Sequence, residues 1–149
     1  RSYGNFTPSG RGGGAIQLLA GGHVTIDGLL TANGGRGWYY RGPAGSGGSI
    51  FVAGMRVGGS GELRANGGSG ELARGPGGGG RIAVWHHIPL AMVEKRIAAR
   101  DVSGLAHSGD FPSFTGTTDA GVTASSLVYQ PEPGTIGFYS IAGSLIILR

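Results

Sequence analysis

Cysteine is absent, which excludes a disulfide framework and any thiolate metal site. Charge is scarce as well: 13% of residues are charged, and Lys95 is the single lysine. The net +4 therefore comes from arginines spread along the chain, with no run of like charge such as a nucleic-acid-binding arm would carry. No initiator methionine precedes Arg1, so the chain is read as processed or as a piece of a longer protein. A missing signal peptide then carries no weight.

Glycine is what the chain has in abundance, with 34 in 149 residues, about three times ordinary usage. The glycines cluster without a strict triplet, which excludes collagen. Apolar β-formers recur between the clusters, as in Ala15-Ile16-Gln17-Leu18-Leu19 and Ile50-Phe51-Val52, which argues against simple disorder.

The clusters repeat. Gly13-Gly14-Ala15-Ile16 aligns with Gly47-Gly48-Ser49-Ile50 and with Gly79-Gly80-Arg81-Ile82, so the isoleucines recur at spacings of 34 and 32. A second block, ending in Leu30-Thr31-Ala32-Asn33-Gly34-Gly35, recurs 33 residues later as Leu63-Arg64-Ala65-Asn66-Gly67-Gly68. Within a unit, Ile16 and Leu18, Val24 and Ile26, and Leu30 and Ala32 fall on one face of short strands. Strands this short cannot bury that face alone, so the units must stack.

The predicted fold is therefore mainly β, a right-handed parallel β-helix or solenoid, with Asn33 and Asn66 at equivalent corners. Its units span residues 12–45, 46–78 and 79–87. Glycine is expected at corners needing φ > 0, with 34–49 and 67–80 as protruding loops. The competing arrangement is an antiparallel meander turning at Asn33-Gly34 and Asn66-Gly67. Residues 88–102 predict a short helix that caps the stack, with Pro89 at its start and apolar residues at 90, 93 and 97. Residues 103–130 read as a linker with one edge strand at 126–129.

Chemistry-bearing residues are sparse. The eight carboxylates (Asp27, Glu62, Glu71, Glu94, Asp101, Asp110, Asp119 and Glu132) form no ladder, because Asp27 aligns with Ser60 and Glu62 with Leu29. Only Asp101 and Asp110 are candidates to meet, near His107. His86 and His87 are adjacent and expected on opposite faces of a strand, unable to share an ion, so no metal or other cofactor is expected. Residues 42–49 mimic a phosphate loop, but Gly48 stands where the lysine belongs. Trp38, Tyr39 and Tyr40, flanked by Arg36 and Arg41, could stack on sugar faces or pack against the wall of the stack. An Arg-Gly-Gly reading as an RNA binder explains neither the strands nor the tail, so no nucleic-acid partner is expected.

The last 19 residues, 131–149, have a distinct order: Pro131-Glu132-Pro133-Gly134-Thr135, an uncharged run from Ile136 to Leu148, then Arg149. This tail resembles the PEP-CTERM sorting signal. The resemblance implies an exported bacterial surface protein, processed at Pro131, Glu132 and Pro133 by an exosortase-type enzyme and held transiently in the membrane from Ile136 to Leu148. Such a run would measure about 20 Å as a helix against a hydrocarbon core of about 30 Å, and Arg149 would stay at the cytoplasmic face. The expected function is a non-catalytic surface or extracellular-matrix protein, structural or adhesive, with extracellular polysaccharide as a possible partner. The alternative is the end of an exported carbohydrate-active enzyme whose active site lies upstream.

Overall fold

A computed structural model describes residues 9–37, 42–70, 75–107, 113–122 and 131–141. The protein is mainly β, with ten strands and one helix among these residues. In order they are β1 (Ala15–Leu19), β2 (His23–Thr25), β3 (Leu29–Thr31), β4 (Ser49–Gly54), β5 (Arg56–Gly58), β6 (Glu62–Arg64) and β7 (Arg81–His86). Then come α1 (Leu90–Ala99), β8 (Leu105–His107), β9 (Thr117–Asp119) and β10 (Thr135–Ile141).

The strands form three sheets, ordered β1-β4-β7-β10-β8, β2-β5 and β3-β6-β9. The first two units visit these sheets in the same sequence; after β7 the chain forms α1 and β8 before β9 joins the third sheet and β10 the first. All the pairings are parallel except β8 with β10. Ile16 lies beside Ile50 and Ile50 beside Ile82, the register expected from the spacings, and Leu30 lies beside Leu63. Antiparallel hairpins at the Asn-Gly dipeptides are thereby excluded.

Period-2 alternation makes the core. Ile50, Val52, Ile82 and Val84 point inward and are almost fully buried, together with Val57, Leu63 and Ala65. Phe51, Ala53 and Trp85 occupy the intervening positions and form a second cluster on the opposite face of the first sheet. Helix α1 lies against that face through fully buried Val93, so it covers the side of the stack rather than its end. Ile97, expected to pack, is 40% exposed.

The glycines do something other than turn corners. Among the described glycines only Gly59 and Gly104 have positive φ. The segments expected to protrude instead pack in two layers. One layer holds residues 32–37, 65–70 and 119–122, and the other holds 10–14, 42–48, 75–80 and 131–134. Hydrogen bonds recur every third residue: Gly10 and Gly13 donate to Pro43 and Ser46, and Gly45 and Gly48 donate across the layers to Gly35 and Ala32. That three-residue period matches the polyproline II repeat, in which amides make no internal bond and can bond outward to a neighbouring segment.

Close approach is the reason glycine is needed. A Cβ on Gly13 would overlap the Ala32 carbonyl oxygen, and the same holds for Gly47 with Ala65 and Gly79 with Ala120. The second glycine of each pair donates to the alanine of the preceding unit: Gly48 to Ala32 at 2.7 Å and Gly80 to Ala65 at 2.7 Å. Residues 38–41 and 71–74 lie outside the described residues.

Beyond α1 the expected linker contributes strands. Leu105–His107 and Thr117–Asp119 both enter sheets, and the strand expected at 126–129 lies outside the described residues. The expected C-terminal helix is corrected. Its described part, from Ile136 to Ile141, lies in β10, paired in parallel with β7. Ile136 and Phe138 alternate and lie beside Ile82 and Val84 of β7, so the sheet captures the segment. No helix among the described residues is long and apolar enough to cross a membrane.

Candidate functional site: the Pro-Glu-Pro rung and the cavity beside it

The Pro-Glu-Pro tripeptide is built into the glycine layers. The Glu132 carbonyl accepts the Gly79 N–H at 3.0 Å, Gly134 donates to Ala120 at 2.8 Å and Thr135 donates to Gly80 at 3.0 Å. Gly134 thus repeats the role of Gly48 and Gly80, and a Cβ there would overlap the Gly80 carbonyl oxygen. Pro133 stands where earlier units carry the first glycine. Its exposed ring is tolerated because no later alanine carbonyl packs on it among the described residues. The Glu132 side chain is exposed and Pro131 is half-buried. Ile136 is partly exposed in β10, while Leu148 and Arg149 lie outside the described residues.

Sequence reasoning missed this fourth rung, although a signal was there. Gly134-Thr135-Ile136 repeats the Gly-x-Ile pattern of Gly14-Ala15-Ile16, Gly48-Ser49-Ile50 and Gly80-Arg81-Ile82.

Beside the rung, β7 and β10 form the floor of a cavity of about 580 Å³, bounded by Phe51, Trp85 and Tyr139 and by Val102 and Leu105 after the helix. Phe51 and Trp85 meet edge to face, with centroids 5.0 Å apart and planes at 82°. The Tyr139 ring folds back over Gly137, where a Cβ would lie 2.5 Å from its hydroxyl, and meets His107 edge-on at 5.6 Å. A second, shallower recess of about 340 Å³ is floored by Gly47, Gly48, Gly79 and Gly80 and walled by Pro133. Arg81 and Thr135 line both spaces. The Arg81 Nε donates to the Thr135 Oγ1 at 3.4 Å, and no carboxylate pairs with Arg81 among the described residues.

Comparison with protein-family models, curated proteins and solved structures finds no match. The site must therefore be judged on its own geometry.

The aromatic cluster Trp38, Tyr39 and Tyr40, with Arg41, lies outside the described residues, and Arg36 is exposed beside it. Four of the six carboxylates among the described residues are held in local bonds. Asp27 accepts the Ser60 N–H at 3.0 Å, Glu62 pairs with Arg64 at 2.5 Å, and Asp119 accepts the Asn66 amide at 2.7 Å. Asp101 accepts the Ser103 N–H at 2.8 Å, and that bond, with a second from the Ser103 hydroxyl, holds its carboxyl below the usual range. Its suggested partner Asp110 lies outside the described residues.

The two histidines depart from expectation. His87 has φ of 57°, which breaks the strand alternation and brings its Nδ1 to 2.9 Å from that of His86. Burial, and then the neighbouring ring, push the His86 pKa down to about 4. No group of three or more His, Asp or Glu side chains suited to a metal ion occurs among the described residues.

Proposed function

We propose that this chain is a right-handed parallel β-solenoid from an exported, non-catalytic surface or extracellular-matrix protein, with a structural or adhesive role. The carrying observation is the parallel, in-register pairing of successive units across three sheets, reinforced by two hydrogen-bonded glycine layers. Each added unit extends such a stack by about 4.8 Å without new side-chain chemistry, which suits a rigid spacer. Commitment of Asp27, Glu62, Asp101 and Asp119 to local bonds favours a frame over a catalyst.

In this reading Pro131, Glu132 and Pro133 form the sorting motif for an exosortase-type enzyme, and the residues after them engage the membrane. That carries a structural requirement: β10 must come away from β7 before the segment from Ile136 onward can lie in a bilayer. The test places epitope tags on both sides of Glu132 in a host that has the sorting enzyme. Separation of the tags, with the upstream tag on the cell surface, is the expected result. Both tags remaining joined in the mature surface protein would remove the sorting assignment.

A further inference from the structure

We propose that the cavity on the outer face of β7 and β10 binds an acidic oligosaccharide, with a uronate carboxylate at Arg81 and a sugar ring against the partly exposed rings of Phe51 and Tyr139, above buried Trp85. The proposal rests on the matrix role above and names the polymer class that the stack would contact. It does not depend on how the chain is sorted.

Three observations carry it. The cavity, about 580 Å³, falls in the range of small-ligand sites and is walled by aromatic side chains on a rigid sheet. Aromatic rings present flat apolar faces, which suit the C–H face of a pyranose. Arg81 stands at its edge, exposed, with its Nε turned to a threonine hydroxyl and no carboxylate partner among the described residues. A guanidinium placed this way offers forked donors that match a carboxylate. The glycine-floored recess continues from the same Arg81 and Thr135. Glycine leaves the backbone accessible there, so a ligand can lie across the junction with one ring on the aromatic side and the next over the glycines. An elongated anion with polar edges and apolar faces fits this division. A neutral sugar would leave Arg81 unused, and an acidic peptide would not use the aromatic wall as a flat platform.

The chain has two tryptophans. The Trp38→Phe variant therefore leaves Trp85 as the sole indole, so a change in indole emission reports on the cavity and not on residues 38–40. Purified Trp38→Phe protein is titrated with an oligogalacturonate, a neutral gluco-oligosaccharide of equal length and an oligoglutamate, following Trp85 emission and heat release. The expected result is saturable oligogalacturonate binding with a shift in Trp85 emission, and at least tenfold weaker binding of the other two. Arg81→Gln should reduce oligogalacturonate affinity at least tenfold, while Arg81→Lys retains part of it. Because Arg81 is exposed, both variants should keep the parent melting temperature. Equal binding of the neutral sugar, equal binding of oligoglutamate, an unaffected Arg81→Gln variant, or no binding at all would each overturn the proposal. The tag experiment is unaffected by any of these outcomes, so failure here and failure of the sorting reading are told apart.

Discussion

The side-chain oxygen of Asn33 accepts the backbone N–H of Asn66 at 2.7 Å, so one repeat unit holds the corner of the next. Asn66 passes the pattern on: its Oδ1 accepts the Gly121 N–H at 2.7 Å and its amide donates to Asp119 at 2.7 Å. The expected consequence is graded. Asn33→Ala removes one bond and should cost about 1 kcal/mol, while Asn66→Ala removes two more and should cost about 2 kcal/mol. Urea denaturation of both variants checks the order, and equal losses would show that these bonds do not link the units.

The glycine layers predict opposite outcomes for one substitution at two sites. A Cβ at Gly48 would overlap the Gly14 carbonyl oxygen, whereas one at Gly14 meets nothing within 4 Å. Gly48→Ala should lose about 3 kcal/mol or more, because two backbone segments must separate. Gly14→Ala should be neutral or stabilising by up to about 1 kcal/mol, through restriction of the unfolded chain. Thermal melts of the pair decide it. A mild Gly48→Ala phenotype would mean that the layers are looser than their hydrogen bonding implies.

How much of this was legible differs by residue. The register of Ile16, Ile50 and Ile82 could be read because identical motifs at near-constant spacing stack most simply in line. The use of glycine could not. A cluster such as Gly47-Gly48 looks the same whether it turns a corner or lets two backbones touch, and only the position of the Ala65 carbonyl distinguishes them. The helix expected from Ile136 onward gives way to β10 for a related reason. A short uncharged run suits both a membrane helix and a buried strand, and the available β7 edge decides in favour of the strand. The His86–His87 contact depends on one positive φ that nothing in the local sequence demands.

That histidine pair gives a pH dependence with a definite sign. His86 is held neutral in the folded state, with its pKa lowered to about 4 from 6.5. The unfolded chain takes up the proton first, so this group's contribution is flat above about pH 6.5 and is lost as pH falls from there toward 4. His86→Gln should flatten the melting-temperature profile across that window. Asp101 acts lower, since its folded pKa is depressed below 3.8. An unchanged profile in His86→Gln would assign the acid sensitivity elsewhere.

Val93 is the anchor of α1, fully buried against Ala53, Trp85 and Ile88, whereas Met92 and Ile97 are partly exposed. Val93→Ala should cost about 2 kcal/mol, and Ile97→Ala less than about 1 kcal/mol. Fluorescence of Trp85, which shares the Val93 cluster, should report the first change and not the second.

The last prediction concerns β10, on which the fold and the sorting proposal make opposing demands. In the sheet it covers the outer edge of β7: Thr135 through Tyr139 pair in register with Arg81 through Trp85, and Phe138 packs against the core. The exposed condition of an edge strand is visible at β1, where Ile16 and Leu18 are only half-buried while Ile82 and Val84 are 1% exposed. Ending the chain at Gln130 should therefore turn β7 into a strand like β1 and remove the Gly79–Glu132 and Gly134–Ala120 bonds as well. A loss of about 3 to 5 kcal/mol is expected from the apolar area uncovered and the ladder bonds lost. A lower urea midpoint and faster hydrogen exchange at Gly79 should accompany it, with exchange at Val24 and Val57 little changed. If the truncated chain instead keeps the full midpoint, β10 contributes nothing as a rung. The segment from Ile136 onward would then be free to leave the sheet at no cost, as a membrane tail requires.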